Sequence, residues 1–429
     1  MIARLRALHP TLIDLSTGRV ERLLAALGRP QDRLGPVIHL AGTNGKGSTA
    51  AFLRAIAEAA GLKAHVLTSP HLVRFAERIR VAGRLITDDE LSERIDEIEA
   101  ANAGEPISFF EITTALALHA FAATPADLTI IEVGLGGRFD ATNVFTAPAA
   151  SVITPVDYDH LEMLGPELGK IAWEKAGIVK PGRPVFIGRQ PDEALAVIEA
   201  EAAAQGAPLN LMGRDFDAWE ERGRLMVQRA NALHDLPAPA LFGAHQFANA
   251  GLAVAAILSL ADRRIDEAAL AGGVAGASWP GRFQRLTTGP LAAEGRARGA
   301  DLWLDGAHNP HAAKALAQAC ARLIARDPRP LVLIVGMLGR KDAAGFFAAF
   351  AGLTPRVFTT AFSSPIATPG EELAQAARAA GLDASAAAGL EGALTKALAG
   401  EGAAPHVVIC GSLHFVGDVL AMSPDTWPA

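Results

Sequence analysis

At 429 residues the chain has room for two domains, and with 50% of its residues hydrophobic and 20% charged it has the apolar surface for full-sized cores. Lys and Arg number 39 against 46 Asp and Glu, a net charge of −7 without a basic run, which excludes broad electrostatic binding to nucleic acid or a membrane and leaves room for a small charged substrate. Two cysteines, Cys320 and Cys410, exclude a disulfide scaffold, and the N-terminus lacks the apolar run of a secretory signal, so a cytoplasmic protein is expected.

In chain order, the β-rich runs 37–41, 64–68, 128–133 and 150–154 predict strands buried on both faces, with helices over 50–60, 88–100 and 113–123 between or beside them. Parallel strands need long crossovers, so this alternation predicts a mostly parallel sheet covered by helices. The stretch 222–229 reads as hairpin-like, and 251–261 as buried helix, far shorter than the roughly 20 residues of a bilayer span. Pro280, Gly281, Gly289 and Pro290 mark 277–289 as an interdomain linker between an N-terminal domain, 1–276, and a smaller one, 290–429. There the pattern restarts with strands 301–305, 331–335, 357–360 and 407–410 and helices 310–326, 343–350, 371–380 and 392–399. The fold class expected is α/β: an N-terminal P-loop ATPase domain and a smaller C-terminal Rossmann-like domain.

The first strand runs into Gly42-Thr43-Asn44-Gly45-Lys46-Gly47-Ser48-Thr49 and then an apolar helix, the order of a nucleotide phosphate cradle. Backbone N–H groups and the helix N-terminus suit phosphate oxygens, and Lys46 suits their charge. A strict Walker A spacing fails, because Leu40 stands five residues before Gly45 and Gly47 separates Lys46 from Ser48. Glu132 ends a predicted strand, a common place for ligand sites. By themselves Glu132 reads equally as a helix cap or ion-pair partner, His160 as a satisfied buried histidine, and Lys175 as a solvated lysine on a helix face.

The phosphate loop resembles that of the folylpolyglutamate synthase family, in the Mur-ligase superfamily, and further pieces agree in order. They are Thr68-Ser69-Pro70-His71-Leu72, Phe110-Glu111, Ile131-Glu132-Val133-Gly134-Leu135-Gly136-Gly137, Asp159-His160 and Lys175-Ala176-Gly177-Ile178. His245-Gln246-x-x-Asn249-Ala250, Trp279-Pro280-Gly281-Arg282 and Asp305-Gly306-Ala307-His308-Asn309-Pro310 continue the series. The resemblance implies an ATP-dependent ligase that adds L-glutamate to dihydropteroate and to reduced folates. In such a ligase the substrate carboxylate attacks the γ-phosphorus, and glutamate's amine then displaces phosphate from the acyl phosphate. Positioning and charge neutralisation matter more to that reaction than a protein nucleophile.

The same resemblance implies roles for individual residues. Thr43, Asn44, Gly45, Lys46, Gly47 and Ser48 are expected on the ATP phosphates, Asn249 on adenine, Arg282 near the phosphates and Asp305 on ribose. Ser69, Glu132 and His160 are expected to hold Mg²⁺, although histidine is an unusual ligand for that ion. Lys175 is expected to be carbamylated, which requires a neutral amine first. His308 and Ser412 are expected near glutamate, so that the active site draws on both domains, with Lys46, Lys175 and His308 as its catalytic residues. A monovalent cation is admitted as a further cofactor, and a monomer is expected.

Gly134-Leu135-Gly136-Gly137 is a poor dinucleotide fingerprint, since Phe139 stands where a third glycine belongs. Instead the segment Arg138-Phe139-Asp140-Ala141-Thr142-Asn143 resembles the one that meets the pterin-bearing substrate, which makes Ser108, Phe110, Asp140 and Ala141 pterin-site candidates. Phe110 would stack on the ring and Asp140 accept its N–H groups, whereas an Asx-type turn is the plain alternative for Asp140. Two departures from the family pattern lie in the C-terminal half, Arg340 where an acidic residue is common and His414 where an aromatic is usual. The competing functions are a Mur-type ligase acting on a cell-wall precursor and a non-catalytic ATP-binding regulator.

Overall fold

A computed structural model describes residues 16–399 and 402–428. The chain divides into two compact units: one holds residues up to His71, Phe75–Ala240 and Gln246–Ser278, the other Leu72–Arg74, Leu241–His245 and the residues from Trp279 onward.

In the first unit β1 (Val37–Ala41), β2 (Ala64–Leu67), β3 (Ile79–Val81), β4 (Arg84–Leu85), β5 (Leu128–Glu132), β6 (Ala150–Ile153), β7 (Val185–Ile187) and β8 (Leu209–Leu211) form one sheet, ordered β4-β3-β2-β5-β1-β6-β7-β8. The pairings from β2 to β8 are parallel, and only β3 and β4 join antiparallel. Strands β1, β2, β5 and β6 are buried at every residue, as a sheet covered on both faces requires. The helix after the phosphate loop starts at Lys46 and runs to Ala59, earlier than its apolar pattern predicted. Gly47, Ser48 and Thr49 are poor helix formers, and their burial against the sheet overrides propensity. Residues 222–229 form the turn and middle strand of a three-stranded antiparallel sheet, β9 (Phe216–Glu221), β10 (Arg224–Arg229) and β11 (Ala232–Leu236). The apolar stretch 251–261 lies largely in the buried helix Ala244–Leu258.

In the second unit β12 (Gln284–Arg285), β13 (Asp301–Leu304), β14 (Leu331–Val335), β15 (Arg356–Thr359), β16 (Asp383–Ala386) and β17 (His406–Cys410) form a sheet in the order β12-β13-β17-β14-β15-β16. All neighbours are parallel except β12, which pairs antiparallel with β13. The stretch expected as a linker therefore supplies an edge strand, and from Gly289 a helix to Ala297. Leu331, Leu333 and Val335 enter one core and Val332 and Ile334 another, so β14 is buried on both faces and reads as an unbroken apolar run. Cys320 and Cys410 are buried and unpaired. Among the described residues no helix is long and apolar enough to cross a membrane.

Candidate active site

Register places the candidate residues. Leu40 stands opposite Glu132, Leu67 opposite Ile131 and Ala41 opposite Ile153, so β1, β2, β5 and β6 end along one edge of the sheet. The chain turns direction in strand order at β1, and the crevice beyond the carboxyl ends of such strands is where open α/β sheets hold ligands.

The loop after β1 is shaped by two glycines. Gly42 has φ +140°, and a Cβ there would stand 1.9 Å from Thr154 Oγ1; Gly45 has φ +96°, and a Cβ there would stand 2.6 Å from Asn249 Oδ1. Only glycine fits either position. Thr43 N donates to Pro155 O (3.0 Å), Thr43 Oγ1 donates to Asp157 O (2.9 Å), and Asn44 N donates to Pro155 O (3.4 Å). This anchorage to the loop after β6 is a feature that sequence motifs alone do not reveal. No side-chain hydrogen bond caps the helix at Gly45, and the first-turn N–H groups of Lys46, Gly47 and Ser48 are the donors that phosphate oxygens require. Gly47 and Ser48 are buried, while Lys46 is partly exposed.

Two lysines converge on one carbonyl. Lys46 Nζ donates to Gly42 O at 2.9 Å and Lys175 Nζ donates to the same oxygen at 3.2 Å. Lys175 lies on the helix Leu168–Ala176 and is 5% exposed, so the solvated-lysine reading is overturned. Burial, reinforced by the Lys46 cation, pushes its pKa down to about 7 against the opposing charges of Asp159, Glu174 and Asp140.

Glu132 is 4% exposed at the end of β5, and its Oε2 accepts from Ser69 N at 3.2 Å. These two residues bring a carboxylate and a hydroxyl to one corner, oxygen donors of the kind a hard divalent cation takes. Arg78 braces the same loop from below: its Nε donates to His71 Nδ1 at 2.8 Å and its carbonyl accepts from Thr68 N at 3.0 Å. His160 differs from the buried histidine considered for it. Its ring is exposed, its backbone is left-handed at φ 53°, and Nε2 lies 3.9 Å from Asp159 Oδ2.

Asn249, on the helix Ala244–Leu258, is 5% exposed, donates to Gln246 Oε1 at 3.1 Å and stands against Gly45. Ser108 caps the helix Phe109–Ala122 in a capping box with Glu111, whose carboxylate also accepts from Arg19 Nε at 3.0 Å. Phe110, the second residue of that helix, lays its ring over Gly134, with ring carbons 2.5 Å from where a Cβ would stand. Asp140 is 2% exposed; Oδ2 accepts from Leu135 N (2.9 Å), and Oδ1 from Thr142 N (2.9 Å) and Thr142 Oγ1 (2.5 Å). Both oxygens are engaged inside the protein, and the Asx-type turn is what the structure contains. Ala141 belongs to the core that includes Ile112 and Phe145.

In the second unit the ends of β13 and β17 meet. Gly411 N donates to Ala307 O at 3.0 Å, which sets Ser412 beside the loop after β13. Asp305 accepts from Phe283 N and Ala307 N, both at 2.8 Å; burial raises its pKa against the nearby Arg282 cation. Arg282 Nη1 donates to Gly281 O at 3.1 Å, and His308 Nδ1 lies 2.8 Å from Gly306 O. Ser412 is buried and caps the helix Leu413–Ala421, its Oγ accepting from His414 N at 3.2 Å. The two departures from the family pattern, Arg340 and His414, are both exposed.

Two mainly parallel sheets, one in each unit, are the frame of a Mur-type ligase, and family models assign the chain to that class. Residues 40–257 match the Mur ligase middle domain and residues 281–413 the Mur ligase glutamate ligase domain. Within that class the chain belongs to the folylpolyglutamate synthase family, whose members are ATP-dependent ligases. It is 33% identical over 422 residues to the dihydrofolate synthase/folylpolyglutamate synthase of Escherichia coli, covering 98% of this chain and 94% of that one. The solved structure of E. coli FolC in complex with DHPP and ADP superposes with a TM-score of 0.86 at 33% identity, covering 97% of this chain and 95% of that one. The Yersinia pestis bifunctional enzyme, complexed with AMPPNP and Mn ion, superposes with a TM-score of 0.87 at 32% identity, covering 98% and 96%.

Proposed function

We propose that the protein joins L-glutamate to dihydropteroate, giving dihydrofolate, and to reduced folates, giving polyglutamates, with ATP as co-substrate. The observation that carries this reading is the convergence of Lys46 and the buried Lys175 on Gly42 O at the start of an uncapped helix. The loop from Thr43 to Ser48 takes the ATP phosphates, with Lys46 neutralising charge as the γ-phosphoryl group moves to the substrate carboxylate. Ser69 and Glu132, joined in this reading by His160, hold a divalent cation, which when bound supplies charge neutralisation beside the phosphates. The Mn ion and AMPPNP named for the Yersinia enzyme support a metal and a nucleotide here.

Lys175 serves after carbamylation: its neutral amine attacks CO₂, loses a proton and becomes an anion. Its lowered pKa supports that chemistry. Asn249 serves the nucleotide, and its contact with Gly45 ties that role to the phosphate loop. On the family resemblance, Arg282 and Asp305 serve the nucleotide, and His308 and Ser412 the incoming glutamate. On the folate side Phe110 offers its ring to the pterin, with Ser108 fixing the start of its helix, while Asp140 and Ala141 shape the loop beneath.

The test is ADP release with ATP, glutamate and either dihydropteroate or tetrahydrofolate, with products weighed by mass spectrometry. Products heavier by one glutamyl unit are expected with both acceptors. Turnover only with a uridine-nucleotide cell-wall precursor, or ATP binding with no turnover, would point to one of the competing functions instead.

A further inference from the structure

The segment Asp140-Ala141-Thr142-Asn143 resembles a substrate-contact motif, and its polar side chains are hydrogen-bonded within the protein itself. Besides the Asp140 bonds, Asn143 Nδ2 donates to Arg138 O at 2.9 Å and to Gly177 O at 3.1 Å. Thr142 Oγ1 lies 2.9 Å from Nε2 of His39, a residue of β1 that is entirely buried, three positions before Gly42. We infer that His39 and Thr142 are positioning residues for the folate-side loop, a buried relay running from β1 through Asp140 to the backbone of Leu135. This inference rests on the reading that the Gly134–Asp140 side of the site faces the folate.

Hydrogen-bond direction makes the relay specific. Asp140 Oδ1 accepts the Thr142 hydroxyl, so that hydroxyl has spent its one hydrogen and must itself accept from His39 Nε2. His39 is then the Nε2–H tautomer, with Nδ1 carrying a lone pair, and Nδ1 has no hydrogen-bond partner among the described residues. Burial keeps the ring neutral, its pKa pushed down to about 3 with the Lys180 cation as the lesser cause. At the far end Leu135 N donates to Asp140 Oδ2, which holds the glycine loop where Phe110 covers Gly134. A residue on the same strand as the phosphate loop thereby sets the shape of the folate side, without touching substrate.

The test combines a spectroscopic and a kinetic readout. In ¹⁵N-labelled protein the two-bond ¹⁵N–¹H pattern of His39 is expected to show a protonated Nε2 and a bare Nδ1 from pH 7 down to about 5; an Nδ1–H tautomer overturns the relay. Thr142→Val should raise KM for dihydropteroate roughly tenfold and leave KM for ATP within about twofold, and Thr142→Ser, which keeps the hydroxyl, should restore most of the loss. Phe110→Ala separates the two ideas. If it leaves KM for dihydropteroate unchanged, the folate reading of the loop fails and the inference with it. If Phe110→Ala raises that KM but Thr142→Val leaves it unchanged, or shifts the ATP and folate constants equally, the relay alone fails.

Discussion

Beyond β1 the first unit gathers two lysine amines: Lys46 and Lys175 both donate to Gly42 O, and the start of a helix adds its N–H groups. Beyond β13 the second unit holds a buried carboxyl group, Asp305, between the backbone N–H groups of Phe283 and Ala307. Both sheets are mainly parallel, and Gly42 and Asp305 both follow a strand's carboxyl end, so architecture selects the position and the local sequence selects the chemical group.

Lys46→Ala should lower kcat by about 10²- to 10³-fold through the lost transition-state contact, while the denaturation midpoint changes little. Near-normal ADP formation by the folded variant would remove Lys46 from phosphate chemistry. Next in size is Lys175. Enzyme stripped of bicarbonate should lose roughly tenfold or more of its activity and regain it on resupply, a response of the size a general electrostatic contribution gives. Activity indifferent to CO₂ would argue against carbamylation.

Lys175 also carries a stability signature. With its folded-state pKa near 7 and its ordinary value at 10.5, the unfolded chain binds more protons between those limits. Stability in bicarbonate-free buffer should therefore rise with pH from about 7 to 10.5 by way of this group, and Lys175→Met should flatten that rise in urea titrations. A variant with the wild-type slope would place the shifted group elsewhere.

At Asp305 the readout is stability. Asp305→Ala leaves the N–H groups of Phe283 and Ala307 without their acceptor and should cost about 1–3 kcal/mol, read from chemical denaturation. Ser412→Ala removes only a helix cap and should cost about 1 kcal/mol. If Ser412→Ala proved the more destabilising of the two, the buried carboxylate would not be the organising group of this edge.

What could be read from the chain follows physical lines. Strands 37–41 and 331–335 and the helix 310–326 have the predicted bounds, because continuous apolar runs and the Asn309-Pro310 start are local signals. β7 spans only Val185–Ile187 between Pro184 and Gly188, and β16 reads Asp-Ala-Ser-Ala, so neither has a run long enough to announce a strand. At the site, glycines and Lys46 are legible because their chemistry is local. The Asx-type turn at Asp140 is local too and is legible as an alternative, whereas the burial of Lys175 and the part played by His39 are not, since each depends on a partner more than a hundred residues away.

In the proposed reaction a substrate carboxylate is activated by phosphorylation at the Lys46 loop before glutamate adds. Dihydropteroate carrying ¹⁸O in both carboxylate oxygens tests it directly, by mass analysis of the phosphate and of the dihydrofolate after turnover with ATP and glutamate. Displacement of phosphate from an acyl phosphate sends one labelled oxygen into inorganic phosphate and leaves the other in the new amide. Unlabelled phosphate alongside glutamylated product would contradict the account.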